Sequence, residues 1–162
     1  SAQWSGNMIG IRQPRQTYHR AAGSLGWSFP AALGAKCGAP DKPVVVFIGD
    51  GGFYYHAMEL ETARRWGINI VVVLNNNHGL AQGQRTINAA YGNRQGRQQE
   101  LYEFSDFSFE KFAKEFDCFG ATVDNASNFA KTFKAALASN KPAVIDVRTQ
   151  FTAIAPDPWL PE

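Results

Sequence analysis

The length, composition and charge of the chain exclude several classes of protein. It has 162 residues, 44% of them hydrophobic and 19% charged, with a formal net charge of +2 at pH 7, which is typical of one folded domain and not of a disordered chain. The absence of a basic block argues against nucleic acid or an anionic membrane as a partner, and the longest apolar runs, residues 44–48 and 70–74, are far shorter than the roughly 20 residues of a membrane helix.

Helices and strands are expected to alternate along the chain. In chain order the pattern predicts a helix at 30–36, a strand at 44–48, a helix at 52–66, a strand at 70–74, a helix at 108–116, a weaker strand at 119–123, a helix at 127–139 and a strand at 143–147. The strands are short, continuous and rich in β-branched residues, as in parallel sheets. We therefore expect an α/β fold, a doubly wound, mostly parallel sheet with helices on both faces.

Two segments stand outside this alternation. Residues 83–106 are rich in Gln, Asn, Gly and Arg, and they are too many for an ordinary loop, so we expect a functional loop, a short helix or a mobile lid. The proline-rich residues 154–162 are expected to form an extended C-terminal arm. We expect residues 1–162 to form a single domain.

Residues that suit metal chemistry follow two of the predicted strands. Phe47-Ile-Gly-Asp-Gly-Gly52 places Asp50 between a buried strand and a helix. The first amides of a helix favour a phosphate, and Asp50 would repel that phosphate unless a cation such as Mg²⁺ lay between them. The next strand runs into Asn75-Asn-Asn-His-Gly79, and parallel strands open on one edge, so we expect Asp50 and one of these asparagines to converge on the metal.

Each of these runs alone would be read as a polar turn, and only the pair is informative. The first loop is neither a P-loop nor a dinucleotide-binding fingerprint, because it lacks Gly-Lys-Ser/Thr and G-x-G-x-x-G. Gly49-Asp50-Gly51 followed by Asn76-Asn77 resembles the thiamine diphosphate fingerprint of the pyruvate decarboxylase and acetolactate synthase superfamily. Gly23-Ser-Leu-Gly26 with Pro30-Ala-Ala-Leu-Gly-Ala35, and Asn76-Asn-His-Gly-Leu-Ala-Gln82, are similar to two further stretches of the synthases.

The resemblance covers about residues 22–82 and implies a role for each matched position. Mg²⁺ would be bound by the side chains of Asp50 and Asn77 and by the carbonyl of Gly79. The cofactor-binding residues would be Gly23, Ser24, Leu25, Asp50, Gly51, Gly52, Asn77, Gly79 and Leu80. Of these, Gly51 and Gly52 would present amides to the diphosphate, and Leu25 would hold the cofactor in a bent shape. The third asparagine, Asn75, leaves Asn76 open as the ligand in place of Asn77.

The resemblance also implies an activity. The chain would be the diphosphate-and-Mg²⁺ domain of an enzyme acting on 2-oxo acids, an acetolactate synthase-like carboligase or a decarboxylase. A pyrimidine-binding domain from the same or another chain would complete the active site, and a homo-oligomer is expected. Since the glutamates of this sequence lie outside the family's glutamate motif, we expect the chain alone to be inert. The family's first strand is also missing, so we expect a fragment, a proteolysed remnant or one member of a split enzyme.

Three further expectations concern His78, the cysteines and other functions. His78 is a candidate acid/base residue or substrate contact, or else an exposed loop histidine. Cys37 and Cys118 are widely separated, which predicts reduced thiols and a cytoplasmic protein. Two other functions are a non-catalytic nucleotide- or phosphate-binding module and the cofactor subunit of a 2-oxo acid oxidoreductase. The second is weakened because two cysteines are too few to bind an iron–sulfur cluster.

Overall fold

Four parallel strands form the centre of the computed structural model, which describes residues 1–21, 23–92 and 94–156. The strands are β1 (Val45–Gly49), β2 (Val71–Asn76), β3 (Phe119–Val123) and β4 (Ala143–Arg148). All neighbours are parallel and the strand order is β1-β2-β4-β3. The predicted strands and their parallel arrangement are confirmed, with bounds that differ by one or two residues.

Helices connect the strands. They are α1 (Ala2–Met8), α2 (Ser28–Gly38), α3 (Asp50–Tyr54), α4 (Glu59–Arg65), α5 (Ala81–Tyr91), α6 (Phe109–Glu115) and α7 (Phe129–Ala138), with short 3₁₀ turns at Gln98–Leu101 and Ala126–Asn128. No helix of the described residues is long and apolar enough to span a membrane.

Two predicted segments differ from the structure in detail. The single helix expected at 52–66 is two helices, because hydrogen bonds from the amides of His56 and Glu59 to the carbonyls three residues earlier, at 3.1 and 2.9 Å, tighten the intervening turn. The polar segment 83–106 contains most of α5, which begins before it at Ala81, so the prediction of a short helix there is confirmed. Of the predicted arm, residues 154–156 have no regular structure, and 157–162 lie outside the described residues.

The apolar side chains lie on both faces of the sheet, as the doubly wound prediction requires. One face packs against α2, α3, α4 and α6; its buried residues include Ile48, Val72, Leu74 and Val144 from the strands and Phe29, Phe53, Leu60 and Phe109 from the helices. The other face packs against α7, and its buried residues include Val71, Val73, Ile145 and Ala136. The sheet therefore has a rigid interior, which fixes the positions of the loops at its carboxyl edge.

The strand register brings the ends of three strands together. Gly49 pairs with Asn75 across β1 and β2, and Asn76 pairs with Arg148 across β2 and β4. The residues that follow β1 and β2 therefore lie side by side at the carboxyl edge, where α/β sheets bind their ligands.

Candidate functional site

Asp50 is a buried carboxylate at the start of α3. It is 2% exposed, its Oδ1 accepts a hydrogen bond from the amide of Gly51 at 2.9 Å, and its Oδ2 accepts one from the amide of Gly79 at 2.8 Å. Burial raises the pKa of Asp50, and these two amides oppose that rise. Asp50 is absent from the ion pairs of the described residues. Each carboxylate oxygen retains a free lone pair, so this group can still take a cation.

Gly79 faces Asp50 because the segment at 102–104 holds it from the opposite side. The amide of Leu80 donates to the carbonyl of Tyr102 at 2.7 Å, and the amide of Phe104 donates to the carbonyl of His78 at 2.8 Å. Gly79 and Glu103 thus form a non-hydrogen-bonded antiparallel pair. In such a pair the N–H and C=O of each residue point away from the partner segment. The amide of Gly79 reaches Asp50, so its carbonyl is directed to that side as well.

The three asparagines after β2 have different surroundings. Asn75 accepts a hydrogen bond from the hydroxyl of Thr149 at 2.8 Å. Asn76 is 1% exposed and uses both ends of its amide inside the protein, donating to Asp146 and accepting from the amide of His78. Asn77 is partly buried and lies outside this set of hydrogen bonds. The arrangement favours Asn77 over Asn76 as the residue that turns toward Asp50.

His78 belongs to a polar cluster with Arg148 and Asp106. Its Nε2 lies 2.9 Å from Nη1 of Arg148, and since a guanidinium can only donate, Nε2 accepts and the ring carries its proton on Nδ1. Nδ1 is 3.8 Å from Oδ1 of Asp106, which also accepts from Arg148 at 2.9 Å. His78 has a φ of 59°, a left-handed conformation that is unusual outside glycine. The ring of His78 is therefore held by Arg148, and its role as an acid/base residue or substrate contact stays a prediction.

The glycine loop of residues 23–26 lies against the start of α3. Gly23 and Gly26 have positive φ values of 91° and 88°, and Ser24 is exposed. Leu25 is half-exposed, and its Cδ1 would lie 3.4 Å from a Cβ placed on Gly52. The structure thus places this loop against the residues that follow β1.

Leu80 and Gly51 meet on the other side of Asp50. A Cβ on Gly51 would overlap Cδ2 of Leu80, so any larger residue at this position would displace the end of the Leu80 side chain. The amide of Gly51 is donated to Asp50 itself, whereas the sequence assigned it to a diphosphate. Residues from three loops, at 23–26, 50–52 and 77–80, therefore surround one point of the sheet edge.

One buried polar residue of β4 was missed by the sequence analysis. Asp146 is fully buried, accepts from Asn76 Nδ2 at 2.8 Å and lies 3.2 Å from Nη2 of Arg148. Burial raises its pKa, while Asn76 and Arg148 oppose the rise. The available signal was a carboxylate within an apolar strand, Ala143-Val-Ile-Asp-Val147, because such a residue is rarely buried without partners.

Comparison with known proteins assigns this arrangement to a family. The family model described as "Thiamine pyrophosphate enzyme, C-terminal TPP binding domain" matches residues 1–147. The chain belongs to this family. The fold and family predicted from the sequence are therefore confirmed, and so is thiamine pyrophosphate as the family's ligand.

Similar proteins are synthases and decarboxylases. The chain is 34% identical over 125 residues to the acetolactate synthase large subunit of Lactococcus lactis, covering 77% of this chain and 21% of that protein. It is 48% identical over 73 residues to the probable 2-ketoarginine decarboxylase of Pseudomonas aeruginosa, covering 44% and 13%. Among solved structures, the thiamine diphosphate-dependent 4-hydroxybenzoylformate decarboxylase of Rhodococcus jostii matches with a TM-score of 0.69 and 30% identity, covering 78% and 23%. This thiamine pyrophosphate-binding chain spans less than a quarter of the length of these three proteins.

The donor set around Asp50 fits a hard divalent cation. A carboxylate, an amide side chain and a backbone carbonyl supply only oxygen ligands, which Mg²⁺ prefers. Within the described residues there is no cluster of three or more His, Cys, Asp and Glu side chains. A cation at Asp50 would therefore be completed by neutral oxygens and by the phosphate oxygens of a ligand.

Proposed function

We propose that this chain holds Mg²⁺ and the diphosphate group of thiamine diphosphate in an enzyme that acts on 2-oxo acids, as an acetolactate synthase-like carboligase or a decarboxylase. The observation that carries the proposal is the hydrogen bond from the amide of Gly79 to Oδ2 of Asp50, at 2.8 Å. It joins the two loops of the thiamine diphosphate fingerprint at one buried carboxylate, which forms no ion pair among the described residues.

The residues at this point have separate tasks in the proposal. Asp50, the side-chain oxygen of Asn77 and the carbonyl of Gly79 bind the metal ion. Gly51, Gly52 and Leu80 line the diphosphate, and Gly23, Ser24 and Leu25 contact the rest of the cofactor. When bound, the cofactor supplies a thiazolium ring that accepts the electrons released as a 2-oxo acid loses CO₂. The metal ion would offset the charge of Asp50, which burial alone disfavours.

A pyrimidine-binding domain, from the same or another chain of a homo-oligomer, is proposed to complete the site. An apolar surface supports this, because large side chains next to the site are 40% or more exposed; they are Leu25, Trp27, Tyr54, Tyr55 and Met58. Desolvation of such a patch is a usual feature of a domain interface. The chain alone is proposed to be inert, and residues 1–162 to form a single domain.

Two smaller proposals concern His78 and the compartment. His78 is proposed as an acid, a base or a substrate contact, supported by its fixed ring orientation against Arg148. A cytoplasmic location is proposed because both cysteines are free thiols, which a reducing compartment maintains.

The test is Asp50→Asn in the complete natural protein. This change keeps the size of the side chain but removes its charge, and it turns an N–H₂ group toward one of two backbone donors. Binding of thiamine diphosphate is measured by the quenching of tryptophan fluorescence, once in the presence of Mg²⁺ and once in the presence of EDTA. Binding should need Mg²⁺ in the wild type and be lost in the variant. Asp41→Asn is the control, since Asp41 is exposed.

Two results would refute the proposal. The first is wild-type binding that is equally tight in EDTA. The second is an Asp50→Asn variant that binds as the wild type does. Tight Mg²⁺-dependent binding of a nucleotide with no binding of thiamine diphosphate would favour the nucleotide-binding module instead.

A further inference from the structure

Asp146 is a fully buried carboxylate that the proposed site does not use. Its Oδ1 accepts from Nδ2 of Asn76 at 2.8 Å, and its Oδ2 is 3.2 Å from Nη2 of Arg148, an ion pair without the alignment of a hydrogen bond. Asn76 lies 70 residues earlier in the chain, on the neighbouring strand β2. The carboxylate therefore connects the ends of β2 and β4 next to the asparagine loop, residues 75–79.

The chemistry of a carboxylate fixes the orientation of the Asn76 amide. An ionised carboxylate can only accept hydrogen bonds, so it holds the N–H₂ group of Asn76 toward β4. The carbonyl oxygen of Asn76 must then point the other way, where it accepts from the amide of His78 at 3.2 Å. That hydrogen bond closes the turn in which His78 adopts its left-handed φ of 59°.

This turn fixes the positions of the residues that face Asp50. Asn77 lies inside it, and Gly79 follows it with its amide on Oδ2 of Asp50. Arg148 secures the same turn from outside, since its Nη1 lies 2.9 Å from Nε2 of His78. Consecutive hydrogen bonds thus connect Asp146 through Asn76 to the loop of the proposed metal ligands.

We propose that Asp146 is a positioning residue: by fixing the orientation of the Asn76 amide it holds Asn77 and Gly79 in place for the metal ion. This inference rests on the proposed function of the Asp50 site. Groups that orient metal ligands without touching the metal typically change metal affinity 10- to 100-fold when they are removed.

The decisive variant is Asp146→Asn. An amide at this position has one accepting and one donating end, whereas Asn76 and Arg148 both present donors to it. An N–H₂ group turned toward Asn76 faces a donor, so the Asn76 amide is released or reversed. An N–H₂ group turned toward Arg148 instead removes the ion pair that holds this guanidinium, which contacts His78 of the same turn. The matched control is Asp124→Asn, which makes the same charge change at an exposed residue.

A second variant exchanges the two side chains, Asn76→Asp with Asp146→Asn. The carboxylate at 76 would accept from the N–H₂ group at 146 and from the amide of His78. The carbonyl oxygen at 146 would face Arg148, so each interaction regains a donor and an acceptor. The exchange leaves the net charge unchanged and should fold even if Asp146→Asn alone does not.

The measurement is the Mg²⁺ concentration that gives half-maximal binding of thiamine diphosphate in the complete natural protein, with thermal unfolding in EDTA as the check on folding. We expect Asp146→Asn to raise this concentration about 10- to 100-fold, the exchange to return it close to the wild-type value, and Asp124→Asn to leave it unchanged. A merely structural role would lower the unfolding temperature without moving the Mg²⁺ dependence of the folded fraction.

Two outcomes overturn the inference: a folded Asp146→Asn variant with wild-type Mg²⁺ dependence, or an exchange variant that folds and binds Mg²⁺ as weakly as Asp146→Asn. Failure of the proposed function is distinguishable from both, because the wild-type protein would then show no Mg²⁺-dependent binding at all.

Discussion

Replacing Gly79 by alanine tests the geometry of the candidate site through its effect on stability. A Cβ at this position would overlap the carbonyl oxygen of Tyr102 and stand 2.8 Å from the ring of Phe151. The segment at 102–104 would have to move away, which would break its hydrogen bonds with His78 and Leu80.

The size of the effect follows from these contacts. Two hydrogen bonds contribute about 1–3 kcal/mol together, and forcing an extra methyl group into a packed site costs about 1–3 kcal/mol. We therefore expect Gly79→Ala to lower the free energy of unfolding by about 2–6 kcal/mol. Urea unfolding, followed by circular dichroism in the absence of cofactor and metal, measures this difference.

Gly83→Ala is the matched control for the same substitution. Gly83 lies within α5, where a Cβ would meet Cδ1 of Ile87 at an ordinary contact distance of 3.6 Å. Alanine is the better helix former, so this variant should gain about 0.5–1 kcal/mol. Equal stability of Gly79→Ala and the wild type would refute the packing of Gly79 against Tyr102, and with it the orientation of the Gly79 carbonyl.

Two further predictions concern residues away from the site. Burial raises the pKa of the Cys118 thiol to about 11, so iodoacetamide at pH 8 should label the exposed Cys37 and leave Cys118 unmodified in the folded protein, as mass spectrometry of peptides would show; equal labelling of both would contradict the burial. Hydrogen bonds from Lys141 and Arg64 hold the pKa of Asp117 below its ordinary value. The ionised Asp117 therefore stabilises the folded protein above the unfolded-state pKa, and this stabilisation is lost as the pH falls through the lower folded-state pKa. Asp117→Asn should thus reduce stability in urea at neutral pH and converge with the wild type in acid, and a difference that persists in strong acid would count against this ion pair.

The sheet was predictable because its strands carry their own signal. Buried parallel strands are continuous runs of β-branched residues, and Val45–Gly49 and Val71–Asn76 could be placed within a residue or two for that reason. The convergence of Asp50 with the asparagine loop followed from topology alone, since parallel neighbours open on one edge. The hydrogen bond between Asp50 and Gly79 agrees with that convergence.

Features that leave no mark on the apolar spacing of the sequence were not predictable. The tight turn between α3 and α4 leaves the apolar spacing of the sequence unchanged, so the two helices were taken as one. α5 has no fully buried residue, and its polar composition gave no apolar stripe from which to place it. The role of Asp146 depends on Asn76 and Arg148, and a spacing of 70 residues between two partners has no local signature.

The two buried aspartates of the described residues differ in what balances their charge. Asp146 faces a guanidinium and an amide N–H₂ group, so its charge is balanced within the protein. Within the part of the chain that the structure describes, Asp50 accepts hydrogen bonds only from backbone amides, which solvate a carboxylate but do not neutralise it. A buried charge that forms no close ion pair is costly to maintain, and the fold nevertheless directs the amide of Gly79 at it. Binding of the proposed cation would offset the free energy that the buried Asp50 costs the protein, which is the physical reason for proposing the metal at Asp50 and the positioning role at Asp146.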